Sequence, residues 1–250
     1  MKTWLVIPDL QIPLEDQAFV TKLVDVANYI KPDGLLFIGD LTDSTEVGRW
    51  VKGRAGEYSG QLQAAFDRTA EVVARFRRAV GDVEIVLQGS NHDSRTAQYI
   101  AENAPALSSL RSLDFPRLIG LEANDVSYVH GPHEFLPGVV SVHGHERAYS
   151  SVPGKYGIER VKDYGKCVVY GHTHTPLLVT TAVGTGDHRQ NRWAMNVGHG
   201  MDMSKASYLK DGYATWCQAF GLVHSDGVNA QPELIMAVNG SFTLGEGKWW

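Results

Sequence analysis

Three short apolar runs open this chain, and each stops abruptly at an acidic or amide residue. Thr3-Trp4-Leu5-Val6-Ile7 ends at Pro8-Asp9, Leu35-Leu36-Phe37-Ile38 ends at Gly39-Asp40, and Val83 to Leu87 leads into Gly89-Ser90-Asn91. Runs of this length bounded by turn residues read as buried strands. Between them, Phe19, Leu23, Val26, Ala27 and Ile30 recur at helical spacing within Glu15 to Ile30, which Lys31-Pro32 ends. A second stripe of Leu62, Phe66, Thr69, Val73, Phe76 and Val80 is closed by Gly81. Strand, helix, strand, helix, strand means crossover units and a largely parallel sheet. Ligands of open α/β sheets gather at the carboxyl ends of the strands. Asp9, Asp40 and Asn91 are therefore placed where a site would form.

The second half reads differently. Val126 to Val129, Val139 to Val142, Cys167 to Tyr170, Leu177 to Ala182, Arg192 to Val197, Ala214 to Val223 and Leu234 to Val238 are short strand candidates. Only Tyr156 to Tyr164 interrupts them with helical periodicity. Such a series suggests hairpins and antiparallel pairing. Motif residues lie in both halves, so residues 1 to 250 are expected to form one domain, with two packed sheets flanked by helices. The tail ending in Trp249-Trp250 is expected to fray or dock on the body.

Composition sets limits on function. Apolar residues make up 43% and charged residues 20% of the 250, enough for a core that needs no staples. The net charge of -5 argues against a protein that coats duplex DNA, so any nucleic-acid contact must use a local basic patch. The two cysteines, Cys167 and Cys217, sit in apolar runs and read as buried free thiols, which fits a reducing cytosol. No apolar run approaches the ~20 residues of a membrane span, and the N-terminus lacks the pattern of a signal peptide. A cytoplasmic protein is expected, with no membrane partner.

Two further apolar runs end in imidazoles: His143-Gly144-His145 and Gly171-His172-Thr173-His174. Any one of these pieces alone would read as a turn or cap. Together, carboxylates, histidines and an amide at successive strand ends are what a pair of divalent cations needs.

The ordered set Asp9-Leu10-Gln11, Gly39-Asp40-Leu41-Thr42-Asp43, Asn91-His92-Asp93, His143 and Gly171-His172-Thr173-His174 resembles the calcineurin-like metallophosphoesterases over roughly residues 3 to 200. The resemblance implies a four-layer α/β sandwich built on two mixed sheets. It implies that Asp9, Gln11, Asp40 and His174 hold one divalent ion. Asp40, Asn91, His143 and His172 would hold a second, with Asp40 bridging. Oxygen and imidazole donors suit Mn, Fe, Ni or Zn better than Ca without choosing among them, and the amide of Gln11 leans toward Mn. His92 would serve as the leaving-group acid, oriented by Asp43, while a metal-bridging hydroxide attacks phosphorus in line. The stretch from Asn91 to Gly120 is similar to phosphoesterases of bacteriophages and prophages, which would place the protein in a host cytoplasm.

The chain departs from the family pattern twice. Gln11 stands where the family usually has His, a neutral and weaker donor for transition ions. Ser90 stands where Gly precedes the Asn, so the glycine freedom is expected to have moved to Gly89. Ser44-Thr45 replaces the Arg-Gly that follows the second motif in Ser/Thr protein phosphatases, which disfavours that activity.

Substrate contacts are expected from Arg95 and from the basic, aromatic loop Arg49-Trp50-Val51-Lys52-Gly53-Arg54, where cations would hold phosphate and Trp50 would stack a base or anchor in the core. The expected activity is a phosphodiesterase acting on nucleotides, DNA or RNA. Two alternatives stand beside it: a small-molecule phosphomonoesterase, and a catalytically weak metal- or nucleic-acid-binding module on the same fold. Oligomeric state is not legible.

Overall fold

The computed structural model describes residues 1–49, 51–148, 150–206, 215–245 and 247–250. Four strands run parallel: β1 (Lys2–Ile7), β2 (Gly34–Phe37), β3 (Glu84–Gln88) and β4 (Val126–Val129). Helix α1 (Gln17–Ile30) connects the first pair and α2 (Leu62–Val80) the second, as the apolar stripes require. Asp16 caps α1 by accepting from the amides of Ala18 and Phe19. After β3, α3 (Arg95–Asn103) and the short α4 (Phe115–Leu118) lead to β4.

The second sheet holds β5 (His133–Leu136), β6 (Val139–Ser141), β7 (Cys167–Tyr170), β8 (Leu177–Val183) and β9 (Gln190–Asn196), in the order β5-β6-β7-β9-β8. Helix α5 (Lys155–Tyr164) joins β6 to β7. The chain then returns to the first sheet as β10 (Ala219–Ser225) and β11 (Ala230–Met236), giving the order β11-β10-β1-β2-β3-β4. A two-stranded ribbon, β12 (Thr243–Leu244) with β13 (Lys248–Trp249), closes the chain.

Strand alternation sorts the core into layers. Leu5, Ile7, Leu35, Phe37, Ile85 and Leu87 face Phe19 and Leu23 of α1 and Val73 and Phe76 of α2. Their neighbours Trp4, Val6, Leu36, Ile38 and Val86 face Val139, Val169 and Met195 of the second sheet. On that sheet's far side, Val140, Val168, Tyr170 and Ala194 pack on Tyr156 and Val161 of α5. The result is helix, sheet, sheet, helix: the expected four-layer sandwich.

The structure corrects the strand reading in several places. Pairing in the second half is not simply antiparallel, because β4 lies parallel to β3, and β6, β7 and β9 lie parallel to one another. The α5 crossover makes this possible, since parallel neighbours need a long connection. β5 has no sequence signal, because its four residues follow Gly131-Pro132 and read as a turn. β11 begins well before Leu234 and runs through Pro232. It is an edge strand, where proline's missing N–H costs no ladder bond. β10 begins at Ala219 and not Ala214, which lies outside the described residues. Cys167 is buried as expected, but Cys217 is exposed because it precedes β10. The tail docks through Trp250, which stacks on Phe242 and meets Tyr29 edge-on, while Trp249 stays 71% exposed. Among the described residues, no helix is long and apolar enough to cross a membrane.

Phe76 is fully buried, and its ring meets Phe37 edge-on at 5.4 Å, tying α2 to the central strand. Phe76→Ala should cost about 3–5 kcal/mol. Denaturant unfolding checks this: the midpoint should fall with the slope unchanged.

Candidate metal centre

The loops that follow β1, β2, β3, β6 and β7 converge at one edge of the sandwich. Several of their residues hold a left-handed backbone: Gln11 (φ 54°), Asp40 (φ 46°), His172 (φ 65°) and His174 (φ 58°). This conformation costs non-glycine residues about 1–3 kcal/mol and concentrates at functional sites. Glycines permit the close approach of the strand ends. A Cβ on Gly171 would stand 2.3 Å from Asp9 Oδ1, and one on Gly39 would stand 2.5 Å from His143 Nδ1. Gly89 does not take the role expected of it, since neither it nor Ser90 has a positive φ. Gly89 is instead required by space, with a Cβ there meeting His130 Nδ1 at 2.8 Å.

Asp40 stands at the middle, fully buried. Its Oδ2 accepts from Gln11 Nε2 (2.9 Å) and lies 3.2 Å from His143 Nε2. Its Oδ1 accepts from the backbone N–H of His92 at 3.3 Å. Asp9 accepts from the backbone N–H of His172 (2.7 Å), and its Oδ2 lies 3.2 Å from His174 Nε2. Two groups of donor atoms form, each within 4.8 Å: Asp40, His143 and His172, and Asp9, Asp40 and His174. They share Asp40. Gln11 lines the cleft that contains Asp40, and Asn91 lines the neighbouring one.

The donor set fits divalent cations. Asp9 Oδ1, Gln11 Oε1, Asn91 Oδ1, His143 Nε2 and both ring nitrogens of His174 are buried without a hydrogen-bond partner. So many orphaned polar atoms would be costly in a purely structural cluster. Supporting bonds aim the rings. His143 Nδ1 donates to the carbonyl of Ile38 at 2.9 Å, which turns Nε2 toward Asp40. Asn196 Nδ2 donates to the Gly171 carbonyl and Thr173 Oγ1, holding the turn that carries His172 and His174. Glu146 caps the amides of His143 and Gly144.

Charge follows this packing. Burial alone would raise the pKa of Asp40, but His143 and His92 hold it well below the usual carboxylate range. Burial alone would lower His143, yet the carboxylates of Asp40 and Asp9 push it up to about 10. Burial and the neighbouring His143 lower His172 to about 4, so it is neutral at pH 7. Burial and the charge of Asp40 push Asp93, whose Oδ2 accepts from the Ser90 amide, up to about 7.

His92 and Asp43 meet as expected. His92 Nδ1 donates to the Asp43 carbonyl at 3.0 Å and lies 3.1 Å from Asp43 Oδ1. Burial opposes a charge on the ring, but Asp40 and Asp43 outweigh it and raise the His92 pKa. Arg95 begins α3 and packs over this pair. Its guanidinium donates to the Asp43 carbonyl (2.6 Å) and lies 2.8 Å from His92 Nε2.

Two clefts open from the centre and share Arg95 and Gly48. The larger, ≈ 720 Å³, contains Gln11, Asp40, His92, His172 and His174, and is walled by Leu14, Val51 and Trp216. The second, ≈ 490 Å³, is lined by Arg49, Lys52, Asn91, Arg95, Tyr99 and His145. Arg49 and Lys52 thus come beside the centre, Lys52 also pairing with Glu102 at 3.1 Å. Arg54 is exposed and lines neither cleft, and Trp50 lies outside the described residues. Of the stretch after His143, His145 reaches the cleft, but Arg147 turns toward Asp163. His199 is fully buried 5.7 Å from the His174 ring and joins neither donor group. Sequence reasoning missed Trp216, Leu14 and Asn196. Trp216 had been read as part of a strand, and the other two belong to no motif.

The model of the family described as calcineurin-like phosphoesterase matches residues 3–176. The whole chain aligns with the Gene 54 protein of Mycobacterium phage D29 at 31% identity and with that of Mycobacterium phage L5 at 29%, covering 98% of each relative. Among solved structures, wild-type Vps29 of Entamoeba histolytica complexed with Zn²⁺ matches with a TM-score of 0.51 over 96% of both chains. Vacuolar Protein Sorting 29 of Cryptosporidium parvum matches with a TM-score of 0.51 over 100% of this chain and 97% of that one. At 14% identity, both likenesses are of fold.

A metal ligand must be a neutral imidazole, so the electrostatics make a directional prediction. The His143 pKa of about 10 means that the metal-free ring is protonated at pH 7.5 and must lose that proton on binding, whereas His172, at about 4, releases none. Metal affinity should therefore rise about tenfold per pH unit above neutrality and level off as pH passes the His143 value. Titration calorimetry in buffers of different ionisation enthalpy should count about one proton released. A count of zero, with a flat pH profile, would overturn the charged His143 ring on which this prediction rests.

Proposed function

The chain belongs to the calcineurin-like phosphoesterase family, and on that premise we propose that it hydrolyses phosphodiesters of nucleotides or nucleic acid with the help of two divalent cations. The observation that carries this reading is the pair of donor groups sharing Asp40, in which Asp9 Oδ1, His143 Nε2 and both ring nitrogens of His174 are buried without a hydrogen-bond partner. Asp9, Gln11, Asp40 and His174 would hold one ion; Asp40, Asn91, His143 and His172 would hold the other. When bound, such ions polarise phosphoryl oxygens and make water nucleophilic at neutral pH. The amide of Gln11 in place of an imidazole favours a hard ion, Mn above Zn.

The chain's own residues would do the rest. Asp43 fixes the His92 ring through Nδ1, and Nε2, which here accepts from the Arg95 guanidinium, would take up a proton for the leaving oxygen once Arg95 turns to the phosphoryl group. Arg95, at the junction of the two clefts, offers guanidinium N–H groups to the phosphoryl oxygens. Arg49 and Lys52 bring positive charge to the second cleft, which an acidic protein needs in order to hold a further phosphate. Two clefts that meet at Arg95 support a diester, which carries a second group on phosphorus. The phage relatives support a place of action in the host cell cytoplasm.

The test is hydrolysis of mono- and diester substrates by protein stripped with chelator and reloaded with Mn. Asp40→Asn should abolish turnover and weaken uptake of both ions; full activity in that variant would sink the assignment. His92→Asn should keep its metal content. It should lose about 10²–10⁴-fold on nucleoside leaving groups, which need a proton, and far less on nitrophenyl esters.

A separate measurement addresses the basic cleft. Oligonucleotide binding to Mn-loaded His92→Asn protein should weaken with salt. Arg49→Ala and Lys52→Ala should each lower that salt slope by about one. Unaltered slopes would remove these side chains from the substrate path.

A further inference from the structure

We propose that Trp216, together with Leu14 and Val51, forms a seat for the nucleobase of a nucleotide ester beside the metal centre. This inference rests on the phosphoesterase reading and names the substrate class of the same site. The larger cleft is lined by His172 and His174 together with these three apolar side chains. They come from three separate segments: Leu14 from the loop after β1, Val51 from the connection between β2 and α2, and Trp216 from the approach to β10. A centre that bound only inorganic or small alkyl phosphates would have no use for such walls. Orienting polar groups inside largely apolar surroundings are what a cleft presents to an organic ligand.

Trp216 is half-buried and held in place. Its ring meets His174 at 4.4 Å and 83°, and approaches His199 at 6.3 Å. The edge-to-face contact with a ligand histidine fixes the indole relative to the scissile phosphate, while the ring still lines the cleft. Lys205 lines the same cleft, its ammonium held by the Glu15 carbonyl at 3.2 Å. A flat aromatic group joined to a phosphate, with a cation nearby, matches this arrangement. None of Leu14, Val51 and Trp216 offers a paired donor and acceptor to read a base edge, and stacking accepts any base because every base has a π-face. The seat should therefore prefer nucleosides over simple alkyl groups without choosing among bases.

Selectivity is read as the ratio of kcat/KM for thymidine nitrophenyl phosphate over methyl nitrophenyl phosphate, using Mn-loaded protein. Trp216→Ala should lower that ratio by about 5- to 150-fold, the size of one base–aromatic stack. Trp216→Phe should retain most of it. Because Trp216 touches His174, metal content is measured in each variant, and Trp216→Leu, which keeps bulk against His174 but removes the π-face, should lose the ratio as Ala does. A second readout needs no turnover. A thymidine phosphonate, whose P–C bond phosphoesterases do not hydrolyse, should bind the parent more tightly than methylphosphonate by calorimetry, and Trp216→Ala should erase the difference. An unchanged ratio in Trp216→Ala with metals retained would overturn the seat. So would a cyclohexyl phosphonate that binds as tightly as the thymidine compound, because the wall would then be apolar without being a base platform. If the parent hydrolyses neither diester, the phosphodiesterase reading fails, and the phosphonate titration still decides the seat.

Discussion

The fully buried carboxylate of Asp40 is the interaction on which the rest of the site depends. A charge taken out of water this completely must be compensated by partners on every side. Here they come from the loops after three different strands: the amide of Gln11 after β1, the backbone N–H of His92 after β3, and the imidazole of His143 after β6. The last belongs to the other sheet. Asp40 thus joins the two sheets electrostatically at the edge where their strands end, beyond the reach of the apolar layer between them. The fold tolerates this because Gly39 and Gly171 let backbone come close to Asp40's and Asp9's surroundings, where any Cβ would collide.

The same contact explains why the cluster should not be regarded as finished without further charge. Asp40 and Asp9 hold a proton on His143, yet Gln11 Oε1, Asn91 Oδ1 and Asp9 Oδ1 still find no donor. One imidazolium cannot satisfy acceptors that lie on both sides of Asp40. Dipositive charge on each side would, and would displace the His143 proton in doing so. Gln11 fits this scheme in a particular way. Its Nε2 donates to Asp40 and leaves Oε1 as the unsatisfied atom, so one amide can support the bridging carboxylate and offer an oxygen to an ion. An imidazole has two nitrogens and would have to divide them differently.

How much of this was legible in the sequence depended on how local the signal was. β1, β2, β3 and the two long helices were readable because each is an apolar run or stripe closed by its own punctuation, such as Lys31-Pro32 or Gly81. Asp9, Asp40, Asn91, His143, His172 and His174 were readable because parallel strands deliver their ends to one edge. The pairing of the second sheet was not, since the crossover that makes β6 and β7 parallel is one helix of modest periodicity. β5 was hidden because Gly131-Pro132 before it reads as a turn, and the start of β11 was hidden by Pro232, which an edge strand accepts. Arg54 looked as promising as Arg49 because both share one basic stretch, and only the course of the loop separates them. Trp216 carried no motif at all. Its proximity to His174 is set by the chain's return from the second sheet to the first, a long-range event with no sequence period.

That return suggests where chemistry and selectivity part company in this molecule. The donor atoms lie on turns clamped by buried hydrogen bonds, such as those from Asn196 and His143, and a change there would disturb the centre itself. Leu14, Val51, Lys205 and Trp216 lie on connections outside the sheets and reach the cleft only with their side chains. Val51 and Lys205 stand apart from the turns that carry the donor atoms, whereas the Leu14 amide donates to the Gln11 carbonyl at 2.7 Å and so supports one of them. Trp216 also links the two, since its ring meets His174 edge-on at 4.4 Å. A substrate group pressed against that indole bears, through one aromatic contact, on a side chain facing Asp9. On the proposed reading, binding at the apolar wall would bear on the candidate metal centre through this aromatic contact.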